Sequence, residues 1–123
     1  MILVDSSIWI DHLHTSEPAL VDLLSLDQVG CHSLIIQEIA LGSIRQRDVV
    51  VMLLTNLYQF PAVGHRDILY LTEQRQLWGR GLSAIDVHLL AAATVEPGTQ
   101  LWTRDKRLKA ACAETGVVLF SEQ

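Results

Sequence analysis

The first eleven residues, Met1 to Asp11, read MILVDSSIWID. Ile2, Leu3 and Val4 form an uninterrupted apolar run, as in a strand covered on both faces, and the run stops at an acid, Asp5, followed by two serines. Near the other end of the chain Leu101 and Trp102 lead in the same way through Thr103 to Asp105. In an open α/β sheet the carboxyl ends of the strands form the edge where ligands bind. Both acids are therefore expected at that edge.

Outward from the first strand, strand and helix signals alternate. Helical stretches over 6–14 and 17–26 precede a strand over 29–32. A largely apolar helix over 33–42 continues into a second helix over 43–57, and this apolar pair is expected to be mostly buried. Pro61 marks 58–63 as a short edge strand or an extended connection. An amphipathic helix over 65–78 runs to the breakers Gly79 and Gly81, and an Ala-rich helix over 83–95 ends before Pro97 and Gly98. A strand over 100–104, a helix over 106–115 and a strand over 117–120 complete the order. The expected fold is α/β: a three-layer α/β/α sandwich with a mainly parallel central sheet, formed as a single domain over 1–123.

At 123 residues the chain is long enough to bury a core without disulfides. Charged residues interrupt every apolar stretch before the roughly 20 residues a membrane span requires. Together with an amino terminus that lacks a secretory pattern, this points to a soluble cytoplasmic protein. Cys31 and Cys112 lie far apart in the chain and read as small buried thiols. A net charge of −5 argues against coating nucleic acid by bulk attraction. The basic residues are unevenly placed, however: Arg104, Lys106, Arg107 and Lys109 crowd around Asp105, and Arg75 and Arg80 flank Trp78. Basic groups beside an acidic centre suit a phosphodiester substrate, which makes Arg80, Arg104, Lys106 and Arg107 candidate contacts. The competing reading is an ordinary solvated helix face.

Four acids carry the candidate chemistry: Asp5, Glu38, Asp86 and Asp105. Asp5 and Asp105 precede helices, and Ser83 with Asp86 has capping-box spacing, so each has a structural role available to it. Glu38 lies in an apolar helix, where a buried carboxylate would need a positive partner such as Arg45. Parallel strands bring these positions to one edge, and four close carboxylates repel unless a hard cation holds them. Mg²⁺ or Mn²⁺ suits an all-oxygen set, and such ions serve hydrolytic nucleases. Ser7 and Thr103 are placed to orient the carboxylates, and Ser6 or Ser7 equally to cap a helix. The five histidines read as surface or core residues, and Trp9, Trp78 and Trp102 as core or interface.

MILVDSSIWID, IIQEIALG around Glu38, GRGLSAIDVHLLAAA around Asp86 and LWTRDKRL around Asp105 together resemble the PIN-domain family, and within it the VapC-type ribonuclease toxins. The resemblance runs nearly the whole chain; Ser6 stands where these toxins often carry Thr, with the hydroxyl kept. It implies a Mg²⁺- or Mn²⁺-dependent endoribonuclease that cuts structured RNA, often tRNA or ribosomal RNA, to stop translation. By the same resemblance Asp5, Glu38, Asp86 and Asp105 are the metal-binding acids, with Ser7 and Thr103 in support. It further implies a homodimer, silenced by a VapB-type antitoxin whose carboxyl-terminal segment covers the site. The alternatives are a PIN nuclease of RNA processing without an antitoxin and an inactive PIN-fold binding module. A phosphoacceptor receiver domain would need a second acid after the first strand, and a haloacid-dehalogenase-like phosphatase an acid where Ser7 stands.

Overall fold

Leu3 and Val4 have no solvent exposure because β1 (Ile2–Val4) is the central strand of a five-stranded sheet. The computed structural model describes residues 1–122. In it β1 is followed by α1 (Ser6–His14), α2 (Pro18–Ser25), β2 (Val29–Cys31), α3 (Ser33–Ala40), α4 (Arg47–Asn56) and β3 (Tyr58–Gln59). The chain continues through α5 (His65–Gln74), α6 (Ala84–Val95), β4 (Gln100–Trp102), α7 (Lys106–Thr115) and β5 (Val118–Leu119). The strand order is β3-β2-β1-β4-β5, and every pairing is parallel.

The α/β sandwich expected from the sequence is the architecture found. Parallel neighbours need crossover connections, which the helices provide. Val4 pairs with Trp102 in register, so β1 and β4 end side by side and place Asp5 beside the 103–105 segment. The helix α6 is buried along much of its length, at Val87, Leu89, Leu90, Ala91, Ala92 and Ala93. Its alanines let the backbone approach its neighbours closely. Cys31 and Cys112 are free, buried thiols, each pushed by burial up to about 11. Among the described residues no helix is long and apolar enough to cross a membrane.

Three expectations need correction. The second apolar helix begins at Arg47 rather than residue 43, because Gln46 adopts a left-handed conformation (φ 52°) that resets the chain direction. Nor is the apolar pair mostly buried: α4 fully buries only Leu54, while Val49, Met52 and Leu53 are exposed, as is Leu41 after α3. The helix expected to reach Trp78 ends at Gln74. A left-handed Gln76 turns Leu77 back into the core and leaves Trp78 outside it, 58% exposed.

Gly30, in β2, is the position where the sheet tolerates no side chain. A Cβ there would overlap the ring of Phe60, which is itself buried, and would press on Tyr58 at 3.1 Å. Overpacking of this kind costs about 1–3 kcal/mol. Gly30→Ala should lower the urea midpoint by a corresponding amount and Gly30→Val by more, despite the strand preference of Val. An unchanged midpoint for Gly30→Val would mean that Phe60 moves aside freely.

Candidate functional site

Asp5 leaves the end of β1 and caps α1. Its carboxylate is 6% exposed and is held by protein donors on both oxygens. The Ser6 N–H donates to Oδ1 at 2.8 Å; the Ser7 hydroxyl at 2.9 Å and the Thr103 hydroxyl at 2.8 Å donate to Oδ2. Thr103 in turn accepts from the Asp105 N–H at 3.1 Å. Charge-assisted hydrogen bonds of this kind are what allow a carboxylate to be buried. The end of β4 is thus tied to the end of β1 through the acid itself.

Asp105 caps α7, its Oδ1 accepting from the N–H groups of Arg107 at 2.8 Å and Leu108 at 3.0 Å. Asp86 and Ser83 cap α6 reciprocally: Ser83 N–H donates to Asp86 Oδ2 at 2.9 Å, and Asp86 N–H to Ser83 Oγ at 3.1 Å. The capping roles read from sequence are therefore present. Each nevertheless leaves one oxygen, Asp86 Oδ1 or Asp105 Oδ2, without a protein donor among the described residues. Glu38 is exposed on α3 and has no ion pair to Arg45 or to any other described residue. The expectation that it is buried in an apolar helix is corrected: α3 buries Ile35 and Ile39 and turns Glu38 to the outer side.

These four acids line one cavity of about 410 Å³, together with Ser6, Ser7, Ile10, Gly81, Ser83 and Ile85. Burial pushes the Asp86 carboxyl above its ordinary range; the negative charges of Asp5 and Asp105 push it the same way, against the hydrogen bonds from Ser83. The acids therefore feel one another. Among the described residues no three His, Cys, Asp or Glu side chains form a ready-made metal cage. The donor set still fits a hard divalent cation. It is all oxygen, and Mg²⁺ ordinarily keeps several waters while taking one or two carboxylates directly, which suits an open acidic cleft. Ile10, Gly81 and Ile85 line the cavity without any signal of their own in the sequence, whereas capping-box spacing ties Ser83 to Asp86.

A parallel sheet of this order, with acids gathered where β1 and β4 end, defines a PIN-type domain. The chain belongs to the PIN-domain family, whose family model matches residues 2–114. It is 60% identical over 122 residues to Ribonuclease VapC32 of Mycobacterium tuberculosis, in strains CDC 1551 / Oshkosh and ATCC 25618 / H37Rv, an alignment covering 99% of this chain and 98% of the relative. This places it with the VapC-type members of the family. Among solved structures, PAE2754 from Pyrobaculum aerophilum superposes with a TM-score of 0.62 at 17% identity, over 89% of this chain and 83% of that one. At that identity the likeness concerns the fold alone.

The basic residues around the cleft divide into two groups. Lys106 and Arg107 are exposed in the first turn of α7, and the Arg107 guanidinium lies over Gly81 at the cavity wall. Arg80 is ion-paired with Glu114. Arg104, read from sequence as a substrate contact, is instead gripped by Asp11 at 2.6 Å, Glu17 at 2.7 Å and Glu122 at 2.6 Å. Hydrogen bonds from Arg104 hold Glu17 and Glu122 below the ordinary value of 4.5, and its positive charge adds to the effect. A carboxyl whose folded value is depressed contributes stability that is fully present above the unfolded value and lost as pH falls through the folded one. In urea titrations the protein should thus lose stability as pH falls below the ordinary glutamate value of 4.5, and Arg104→Met should flatten that slope while being less stable at neutral pH. Parallel slopes for the two proteins would show that the clamp contributes no free energy.

Proposed function

We propose that this chain is a Mg²⁺- or Mn²⁺-dependent endoribonuclease that cuts structured RNA such as tRNA or ribosomal RNA, and that it is the toxin of a toxin–antitoxin pair. The observation that carries the reading is the lining of one cavity by Asp5, Glu38, Asp86 and Asp105, in a chain 60% identical to a relative named a ribonuclease. Asp86 Oδ1, Asp105 Oδ2 and the Glu38 carboxylate are the oxygens left to hold a cation, with Asp5 contributing from the floor. When bound, the cation would activate water and neutralise charge on the scissile phosphate. Ser7 and Thr103 fix the orientation of the Asp5 carboxylate. Lys106 and Arg107, with Arg80 if it exchanges Glu114 for phosphate, meet the RNA backbone.

Cleavage should stop in excess EDTA and return with Mg²⁺ or Mn²⁺. Asp5→Asn, Glu38→Gln and Asp86→Asn should each lower it by at least ~100-fold while the protein stays folded, since relief of like-charge repulsion offsets a weakened cap worth about 1 kcal/mol. Asp105→Asn should be milder. Variants that unfold instead would assign these acids to capping alone. Replacing Lys106 and Arg107 with Gln should weaken cleavage and reduce its salt dependence.

The partner reading rests on a surface as well as on resemblance. An apolar groove of about 330 Å³ runs among Trp9, Leu13, Leu24, Leu53 and Leu57. It shares Leu13 with a smaller depression of about 200 Å³ near Ile44, which in turn shares Ile10 with the acidic cavity. A helical antitoxin segment could fill this groove with apolar side chains and carry Arg or Lys on to the acids. The groove lies between α1, α2 and α4. Homodimerisation belongs to the same reading. Native pull-down should recover a small antitoxin in an inactive complex, and deletion of its carboxyl-terminal segment should restore activity. A chain that elutes alone and active would favour an RNA-processing role.

A further inference from the structure

The helices that carry Glu38 and Asp86 also carry two histidines that the proposed chemistry leaves unused. His32 caps α3: it is fully buried, and its Nδ1 accepts from the Leu34 N–H at 3.1 Å. A ring nitrogen that accepts bears no proton, so the neutral His32 ring carries its hydrogen on Nε2. Burial, and after it the neighbouring His88, lowers the His32 value, which favours the neutral ring. Its Nε2 is buried without a partner. On α6, two residues beyond Asp86, His88 likewise buries Nδ1 without a partner. Two residues along a helix turn the side chain about 200° around the axis, so His88 faces away from the acidic cavity. The two rings meet with centroids 6.0 Å apart and planes at 59°.

Buried polar groups are satisfied almost without exception, by protein or by ordered water. Here a donor, His32 Nε2–H, and a nitrogen able to accept, His88 Nδ1, belong to two neighbouring rings. The rings are too far apart for a direct bond. We propose that one buried water bridges His32 Nε2 and His88 Nδ1, and that the bridge makes the two histidines positioning residues, fixing α3 against α6 and so the spacing of Glu38 and Asp86. The water accepts from His32 and donates to His88, which satisfies both nitrogens with one molecule and fixes His88 as its Nε2–H tautomer. The consequence for the acids rests on the proposed metal-dependent function; the bridge itself does not.

A high-resolution crystal structure of the full chain should show an ordered water about 2.7–3.2 Å from both nitrogens. Two rings in apolar contact, or bonded directly, would overturn the bridge. His88→Leu removes the acceptor, whereas His88→Gln keeps an amide able to hold the water. Mn²⁺ affinity, measured by calorimetry on the folded proteins, should fall roughly 10-fold in His88→Leu and return in His88→Gln. The Glu38–Asp86 separation in crystals should change in the first variant only. A folded His88→Leu with wild-type affinity and spacing would overturn the positioning role. If His88→Leu does not fold, the same comparison is made with His88→Ala, which also removes the acceptor. A wild type that binds no Mn²⁺ would sink the metal reading alone, since the crystal structures still decide the bridge and the spacing.

Discussion

A carboxylate buried at the end of the central strand organises this molecule. Asp5 is nearly shielded from water, and an ionised group in that position is tolerable only when donors converge on it. Ser6, Ser7 and Thr103 supply them, and because Thr103 comes from the far side of the β1–β4 pair, satisfying the charge also fixes how the two strands end. Asp105 is attached to the same network through its backbone N–H. The starts of α1 and α7 are thereby set relative to each other before any ligand is considered.

The other acids join this frame without neutralising it. Asp86 and Asp105 each commit one oxygen to the amino end of a helix, where backbone N–H groups and the helix dipole favour negative charge. Capping and ion binding are therefore not competing explanations for these residues. The same helix ends that accept an Asp as a cap hold the second oxygen at a cavity wall, and the mutual repulsion felt at Asp86 is what a cation would relieve. Glu38 differs in kind, having no cap role and no partner among the described residues, and it stands exposed across the cleft.

Apolar residues left outside the core give the surface its second character. Val49 and Met52 on α4 remain exposed, as do Leu53 on α4 and Ile10 and Leu13 on α1; the depressions lined by the last three adjoin one another at Leu13 and the acidic cavity at Ile10. Exposed apolar side chains in one connected tract are a feature of binding surfaces. This continuity gives the proposed antitoxin segment a single path from apolar anchor to acidic site.

The α/β alternation, the parallel sheet and the four acids that line one cavity were legible from local pattern: three-residue apolar strands, caps at strand ends and an Ala-rich helix are short-range features. The helix over 106–115 matched the structure residue for residue, because Asp105 and Gly116 mark its ends unambiguously. Tertiary structure alone decided the rest. Whether an apolar helix face is buried depends on what packs against it, so the composition of α4 could not reveal that most of that face lies open. Left-handed turns at Gln46 and Gln76 carry no Gly or Asn signal, and they displaced two helix ends. Arg104 lies beside Asp105 in the chain, yet its guanidinium reaches Asp11, Glu17 and Glu122, carboxylates distant in sequence. A long flexible side chain takes the partners that folding brings within reach, and sequence proximity to a site does not say which those will be.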